Sequence, residues 1–238
     1  MKALIFSAVF SFTVKICFAQ TAGAILNRGV GLSTYNYAMR FNPLAMIDPS
    51  EPNFSVGMEW KYKKNYSVGI DASFIFASSY YANAAVSRPL GFIIRPFFRY
   101  YYWNKYKYRL FFQPEIFYKY VNYAIEDWVQ INDSGNNVVY HQYSNFSIEK
   151  NVFVAGLKWG GQTVFFKNPN LMFEWFAGLG LRLGKVELHD LPSNATYSIN
   201  RIFATDRTKN LTYFTPNIMA GVTIAYSFKH RIKSKIHP

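Results

Sequence analysis

Twelve charged residues fall on the polar side of segments that alternate apolar and polar side chains. They are Arg40, Glu59, Lys61, Asp71, Arg95, Arg99, Arg109, Glu115, Lys119, Lys158, Glu174 and Arg182. Inside a closed sheet they would face one another, and buried charges must be paired. A salt-bridged plug is one interpretation of this set. The other interpretation is an anion-preferring path, because eight of the twelve residues are basic and a guanidinium group can bind phosphate or carboxylate through two nitrogens.

Four histidines limit the chemistry that the chain could catalyse. A lipid hydrolase or acyltransferase would need a Ser or Thr nucleophile beside a histidine that an acid orients. His141 and His189 fall in predicted loops, and His230 and His237 fall in the C-terminal tail. No His/Cys cluster at ligand spacing and no repeated Asp-x-Asp motif suggests a metal. We therefore assign no catalytic residue, metal or cofactor, and keep a lipid-modifying enzyme as an alternative.

Two long predicted loops, 124–148 and 187–209, are rich in Tyr, Ser and Asn. This composition suits an adaptable binding surface. The candidate binding residues are Trp128, Tyr140, Tyr143 and Tyr197. The other interpretation is a solvated loop whose rings pack back onto the rim of the fold.

Alternation with period two predicts the elements that position these residues. Eight strands are expected, at about 35–42, 54–62, 66–76, 89–102, 108–123, 153–162, 171–184 and 214–228. Short basic turns at 63–65, 103–107 and 166–170 alternate with longer links at about 47–52, 79–88, 124–148 and 187–209. An even strand count with short turns at one end and long loops at the other is typical of outer-membrane barrels.

The two faces of these strands indicate which one meets lipid. One is almost purely aliphatic and aromatic, whereas the other mixes charges with many glycines. Small residues suit the narrow interior of an eight-stranded barrel, which rarely leaves an open channel and so favours the plug. In lipid the sheet must also close, because every backbone polar group needs an internal partner. We predict an all-β, eight-stranded antiparallel up-and-down transmembrane β-barrel, with bulges or strand ends at Pro96, Pro114 and Pro216.

Composition agrees with this prediction. Of the 238 residues, 20% are aromatic and only 16% are charged, against about 25% charged residues in soluble domains. The formal charge is +13, but many of the basic residues lie in short turns and the tail, with no basic helix or zinc spacing, so nucleic acid is not an expected partner. Lys2, the apolar run 3–14 and Ala19 predict a cleaved secretory signal.

The predicted organisation has four parts. Residues 1–19 are a signal peptide, 20–34 a periplasmic N-terminal segment, 35–228 the barrel and 229–238 a basic periplasmic tail. Cleavage would remove Cys17, leaving no cysteine for disulfides.

Several short stretches resemble a family of small outer-membrane β-barrels that is common in Bacteroidota and carries a domain-of-unknown-function label. The stretches are MRFNPL at 39–44, NYSVGI at 65–70, IRPFFRYY at 94–101 and FAGLGLR at 176–182. GVTIAYSF at 221–228 is similar to a terminal assembly strand. The resemblance covers about residues 35–228 and implies an outer-membrane location, with no reaction, ligand or catalytic residue.

The expected function is non-enzymatic: a monomeric barrel in outer-membrane lipid that supports the envelope, or binds an extracellular or envelope partner through its loops. A narrow solute or anion channel is the first alternative. A lipid-modifying enzyme is the second.

Overall fold

The structure, a computed structural model, describes residues 36–48, 51–78, 86–105, 108–133, 138–166, 168–192, 194–197 and 211–228. Its strands are β1 Tyr37–Phe41, β2 Asn53–Lys63, β3 Tyr66–Ile75, β4 Val86–Asn104, β5 Tyr108–Asn132, β6 Val138–Phe165, β7 Asn168–His189, β8 Ala195–Thr196 and β9 Leu211–Phe228. A 3-10 helix, Pro43–Ile47, follows β1. No helix of the described residues is long and apolar enough to cross a membrane. The predicted signal peptide, N-terminal segment and basic tail lie outside the described residues.

The strands form one antiparallel sheet that closes in a ring. β1 pairs with β2 and with β9, and each strand from β2 to β6 pairs with the next along the chain. β7 pairs with β9, and within the part of the chain that the structure describes the two-residue β8 pairs only with β5. The prediction of an all-β antiparallel closed sheet is confirmed. Short connections lie at one end of the ring, the turn end, and long connections at the other, the loop end.

The register of the ring is strongly staggered. Successive partners lead round the ring from one strand to the next: Ala38, Glu59, Gly69, Phe97, Glu115, Gly156, Gly180 and Asn217. The partner of Ala38 in β9 is Ser227, ten residues beyond Asn217. Such a stagger means that the strands are tilted to the axis of the ring.

Each of the eight predicted strand segments coincides with a strand. The predicted loop 124–148 is largely wrong, and the predicted loop 187–209 is wrong at 187–189 and 195–196, with 193 and 198–209 outside the described residues. Residues 124–132 and 138–148 continue β5 and β6, which pair from Tyr108 and Thr163 to Asn132 and Val138. β7 likewise runs to His189, and β8 lies within the second predicted loop. The two long strands therefore extend as a hairpin beyond the end of β4, whose last pairing with β5 is between Val86 and Glu126.

The three prolines do not produce the expected bulges or strand ends. Pro96 lies opposite Ile70, Pro114 opposite Leu157 and Pro216 opposite Leu181, within continuous ladders. A proline removes one ladder hydrogen bond. Consistent with this, β4 and β5 have only one Cα pair, Phe97 with Glu115, between the pairs made by Ile94 and Tyr100. The register nevertheless continues unchanged across this stretch.

The outer face of the ring is apolar in the part nearer the turn end, and its interior contains both apolar and polar side chains. Outward side chains such as Ile70, Leu157 and Ile218 are exposed. At the loop end the interior is a hydrophobic core formed mainly by β5 and β6. Its members are Ile75, Ile93, Phe117, Val121, Tyr123, Ile125, Val129, Ile131, Phe146, Ile148, Val152, Val154, Val186 and Ala195. Towards the turn end, charged and amide side chains replace this core.

Candidate functional site

Arg99 is the centre of the polar interior. Its guanidinium, which is 1% exposed, approaches Glu174 with both terminal nitrogens, at 3.1 and 3.2 Å, and Nη1 also donates to Glu59 Oε2 at 3.0 Å. Nε and Nη2 donate to Gln113 Oε1 at 3.0 and 2.6 Å. This one side chain therefore links β4 to β2, β5 and β7.

Arg40 of β1 completes the group and shares both glutamates with Arg99. Its nitrogens lie 3.3 Å from Glu59, 3.3 Å from Asp71 and 3.4 Å from Glu174. Tyr101 donates to Glu59 at 2.6 Å, and Gln162 donates to Glu174. Each buried carboxylate in this group contacts at least one guanidinium, the condition under which buried charge is tolerated. We call Arg40, Glu59, Asp71, Arg99, Tyr101, Gln113, Gln162 and Glu174 the central network. Its members come from all of β1 to β7.

Aromatic rings fill the space around the central network. The Arg99 guanidinium carbon lies 3.9 Å from the centroid of the Phe111 ring, a cation–π arrangement. A Cβ on Gly160 would lie 2.6 Å from the Phe111 ring, and a Cβ on Gly69 would lie 2.3 Å from the Phe97 ring. The inward glycines therefore make room for rings on neighbouring strands, so the interior here is packed.

A second group lies beside the central network, towards the loop end. Lys158 Nζ contacts Glu115 Oε2 at 2.7 Å, and Arg95 Nε lies 3.7 Å from Glu115 Oε1. Gln113 also donates to Glu115, at 2.9 Å. These contacts join β4, β5 and β6. The Arg95–Glu115 pair joins β4 and β5 in the stretch around Pro96 and Pro114, where the two strands have few Cα pairs.

A third group, which we call the upper cluster, lies closest to the loop end. Glu51, just before β2, is 3% exposed. It accepts from Tyr123, pairs with Lys150 Nζ at 3.3 Å and contacts Lys119 Nζ. Arg182 of β7 donates from Nη2 to Asn217 Oδ1 at 2.7 Å. Glu51, Lys119, Tyr123, Lys150, Arg182 and Asn217 make up the upper cluster.

The structure thus separates the twelve residues that sequence analysis grouped together. Five belong to the central network and two to the upper cluster. Three others, Arg95, Glu115 and Lys158, belong to the second group. Lys61 and Arg109 lie near the turn end, where Lys61 Nζ lies 4.9 Å from the Tyr101 ring centroid and Arg109 donates to Asn104.

Two further charges, Glu51 and Lys150, are buried but are absent from the twelve residues predicted from the sequence. Glu51 continues the odd-numbered inward row of β2, which includes Asn53 and Ser55. Lys150 continues the even-numbered inward row of β6, with Val152 and Val154. Extending the alternation a few residues beyond each predicted strand would have found both.

The four aromatic binding candidates occupy different environments. Trp128 and Tyr143 are cross-strand partners on the outer face of the extended hairpin, with ring centroids 5.6 Å apart and both rings about half exposed. Tyr140 is also exposed, on β6. Tyr197 instead packs on Phe146 at 4.7 Å and donates to Asp127. Three of the four therefore lie on strands, where a loop was predicted.

The two described histidines lie on the extended strands. His141 is exposed on β6, and His189 Nε2 lies 3.7 Å from Glu149 Oε2 at the end of β7. Among the residues that the structure describes, no group of three or more His, Cys, Asp or Glu is placed to hold a metal ion.

Comparison with known proteins provides no relative: no protein-family model, curated protein or solved structure matches the chain.

Proposed function

We propose that the chain is an eight-stranded transmembrane β-barrel of a bacterial outer membrane, closed by β1 to β7 and β9. Its lumen is sealed by side chains, and its extended β5–β6 hairpin binds an envelope or extracellular partner. The role is non-enzymatic. Among the described strands β8 pairs only with β5, so we do not count it among the strands of the ring.

The supporting observation is an exchange of faces along single strands. On β5, Phe112, Ile116 and Tyr118 point outward and are exposed, while the inward row mixes Gln113 and Glu115 with Phe111 and Phe117. Beyond Tyr120 the inward row becomes mainly apolar, and polar residues enter the outward row. The apolar Val121, Tyr123, Ile125, Val129 and Ile131 are buried inside, and the outward positions include Asn122 and Glu126.

β6 and β7 reverse at the adjacent positions. Outward Leu157 and Phe153 give way to Asn151 and Glu149 on β6, and outward Leu183 gives way to Lys185 on β7. Tyr120 pairs with Asn151, which pairs with Lys185. An apolar exterior suits lipid, whereas an apolar interior with a polar exterior suits water. The reversal therefore supports a membrane boundary at this row.

The dimensions support the same interpretation. A stagger of ten residues over eight strands, with a rise of ~3.3 Å per residue and a strand spacing of ~4.8 Å, gives a tilt of about 40°. The outward apolar stretch of β5 runs from Leu110 to Tyr120. At that tilt it spans about 25 Å along the axis, the height of the apolar band of outer-membrane barrels.

Aromatic side chains concentrate at the edges of this band. Near the turn end, Tyr66 stacks on Tyr100 at 5.1 Å and Tyr102 packs on Phe112 at 5.0 Å. Near the loop end, Phe92 packs on Tyr118 and Tyr120. Amphipathic rings at both boundaries are typical of membrane interfaces.

The packed central network supports a sealed lumen. We therefore place the proposed binding on the surface of the protein and not in its interior. Arg99, Tyr101, Phe111, Gln113, Gln162, Glu59 and Glu174 are all at most 1% exposed. Above the boundary, the Trp128–Tyr143 pair offers a rigid aromatic surface on paired strands. Exposed aromatic rings that are already ordered lose little conformational entropy on binding.

Planar-bilayer recording tests the proposal against its first alternative. We expect no steady conductance from the reconstituted chain in chloride, phosphate or acetate salts. Reproducible anion-preferring conductance would reject the sealed lumen and favour a narrow channel. Mass analysis of lipid A on overexpression tests the second alternative: a mass change lost in His141→Ala or His189→Ala would show a lipid-modifying enzyme.

A further inference from the structure

The β5–β6 hairpin has two different edges beyond the end of β4. On the β5 side, β8 pairs with Gln130 and Ile131. On the β6 side, pairing with β7 ends where Ser147 meets His189, and within the described part of the chain no strand pairs with β6 on that side beyond this point. Residues 138–146 of β6 therefore form a sheet edge without a described neighbour, which we call the free edge.

The sequence after β7 explains why that strand stops. Asp190 has a φ of 62°, a left-handed conformation that turns the chain out of the sheet and that Asp adopts more readily than most residues. Pro192 follows two residues later and has no N–H to donate to a ladder. β7 therefore leaves β6 while β6 is still paired with β5.

The free edge presents a row of backbone donors and acceptors. Asn132 of β5 donates its N–H to the carbonyl oxygen of Asn194, on the side of β5 away from β6. Successive strand residues direct their backbone groups to opposite sides, so Ile131 directs its own towards its β6 partner, Tyr140. By the same alternation, three residues of β6 direct their N–H and C=O groups away from β5, at the free edge: His141, Tyr143 and Asn145.

The free edge lacks the features that usually protect the edges of sheets. Natural edges carry charges or prolines that discourage a further strand, but residues 138–146 contain no Asp, Glu, Lys, Arg or Pro. Tyr140 and Tyr143 point to opposite faces of the strand and are 53% and 47% exposed. The edge is thus uncharged, aromatic and open on both faces.

We propose that the free edge binds an extended, uncharged segment of another protein, which adds to the sheet as a strand beside β6. The inference rests on the proposed function, in which this hairpin binds a partner, and it names the chemistry of that partner. An unpaired row of N–H and C=O groups is matched by another extended backbone. β-branched and aromatic side chains favour that conformation and would pack beside Tyr143.

A second copy of the chain does not fit the free edge. Two such edges could pair in an antiparallel ladder about a two-fold axis perpendicular to the sheet, which reverses the direction of β6 in one copy. The two barrels would then point in opposite directions across the membrane, whereas copies inserted into one membrane share their orientation. A parallel ladder makes its two strands inequivalent, which a two-fold axis does not allow. The partner is therefore a different chain.

The test uses the full chain in non-ionic micelles and a capped peptide of alternating threonine and valine, as long as the free edge and with a neutral fluorescent label. Fluorescence anisotropy, corrected for binding to empty micelles, measures the affinity. Saturable binding with a Kd of roughly 10–500 µM is expected, because the added strand must offset the entropy lost when a flexible peptide is ordered. Absence of saturable binding overturns the proposal.

A modified peptide separates strand addition from adhesion of side chains. The same peptide with N-methyl groups on its central residues keeps every side chain but loses donors on both of its edges. It should bind at least about tenfold more weakly. Equal binding of the two peptides overturns the proposal.

Substitutions at the free edge test where the strand binds. His141→Pro removes an N–H that points away from β5, a position at which a sheet tolerates proline, and should weaken binding of the unmodified peptide about tenfold. Asn145→Pro makes the same change nearer to β7 and should have a similar effect. His141→Thr keeps the N–H and should bind as wild type does. Wild-type affinity in both proline variants overturns the assignment to this edge.

Two further measurements distinguish this inference from the barrel itself. A faster-migrating unboiled gel band shows that the barrel has formed, so a chain that has this band and binds no peptide rejects the free edge alone. A chain without the band rejects the barrel proposed above and this inference with it. Sedimentation of the chain without peptide should show one copy per micelle, and dimers that His141→Pro dissociates would overturn the choice of partner.

Discussion

Arg99 on β4 and Glu174 on β7 form a two-pronged ion pair across the interior of the ring, with Nη1–Oε1 and Nη2–Oε2 distances of 3.1 and 3.2 Å. β4 and β7 are not neighbours in the sheet, so this contact joins opposite walls. At the height of this ion pair, the two side chains fill the interior between β4 and β7. The arrangement explains how a basic, charge-lined interior can be sealed.

Arg99→Met should destabilise the fold by about 3–5 kcal/mol, because it leaves the buried carboxylates of Glu59 and Glu174 with Arg40 as their one remaining cation among the described residues. Glu59 and Glu174 lose their shortest charged contacts in this variant. Urea unfolding, followed by far-UV circular dichroism, measures the loss. Lys64→Gln, in the exposed β2–β3 turn, is the control and should change the free energy of unfolding by less than about 0.5 kcal/mol.

A triple variant tests the cause of that loss. Arg99→Met combined with Glu59→Gln and Glu174→Gln removes both signs of charge together, and should be less destabilised than Arg99→Met alone. A triple variant that is less stable than the single one would contradict the account.

Gly69→Ala should destabilise the fold by about 1–3 kcal/mol through overpacking. The new Cβ would lie 2.3 Å from the Phe97 ring and 2.6 Å from the backbone oxygen of Met58. Ser73→Ala is a matched control, since it lies on the same inward row of β3 and adds no atom. Equal stability of Gly69→Ala and wild type in urea would show that the interior has free space.

Leu157→Arg should reduce the stability of the barrel in lipid bilayers by about 2–4 kcal/mol, because Leu157 points outward near the middle of the apolar band. Asn145→Arg, on the same outward row of β6 but beyond the boundary, should be neutral. Folding in vesicles at a series of urea concentrations compares the two. Equal effects would mean that the two positions face the same solvent.

Single-tryptophan variants locate the boundary directly. In a variant that keeps only Trp128, aqueous iodide should quench the tryptophan fluorescence. In a variant that keeps only Trp159, brominated acyl chains should quench it. Trp128 lies beyond the reversal of faces, and Trp159 within the apolar band and partnered with Ala177. If brominated lipid quenched Trp128 as strongly as Trp159, the hairpin would lie in the membrane.

All eight strands of the ring are predictable from the sequence because period-two alternation is a local property of each segment. The predicted β5 ends near Tyr123 because, beyond that residue, most apolar side chains lie on the inward row, and Glu126, Asp127 and Trp128 then have the composition of a loop. The continuation of the strand could have been predicted from the alternation itself, because Ile125 and Val129 lie on one row and polar residues on the other. Pairs such as Arg99 with Glu174 could not be predicted, since they depend on how the closed ring places distant strands.

The most direct test of the central claim is gel mobility of the chain from a washed outer-membrane fraction, with and without boiling in SDS. A closed membrane barrel resists SDS and should migrate faster before boiling than after. We expect this faster unboiled band in the outer-membrane fraction. Recovery of the chain in a soluble fraction, with no change in mobility on boiling, would contradict the proposed membrane barrel.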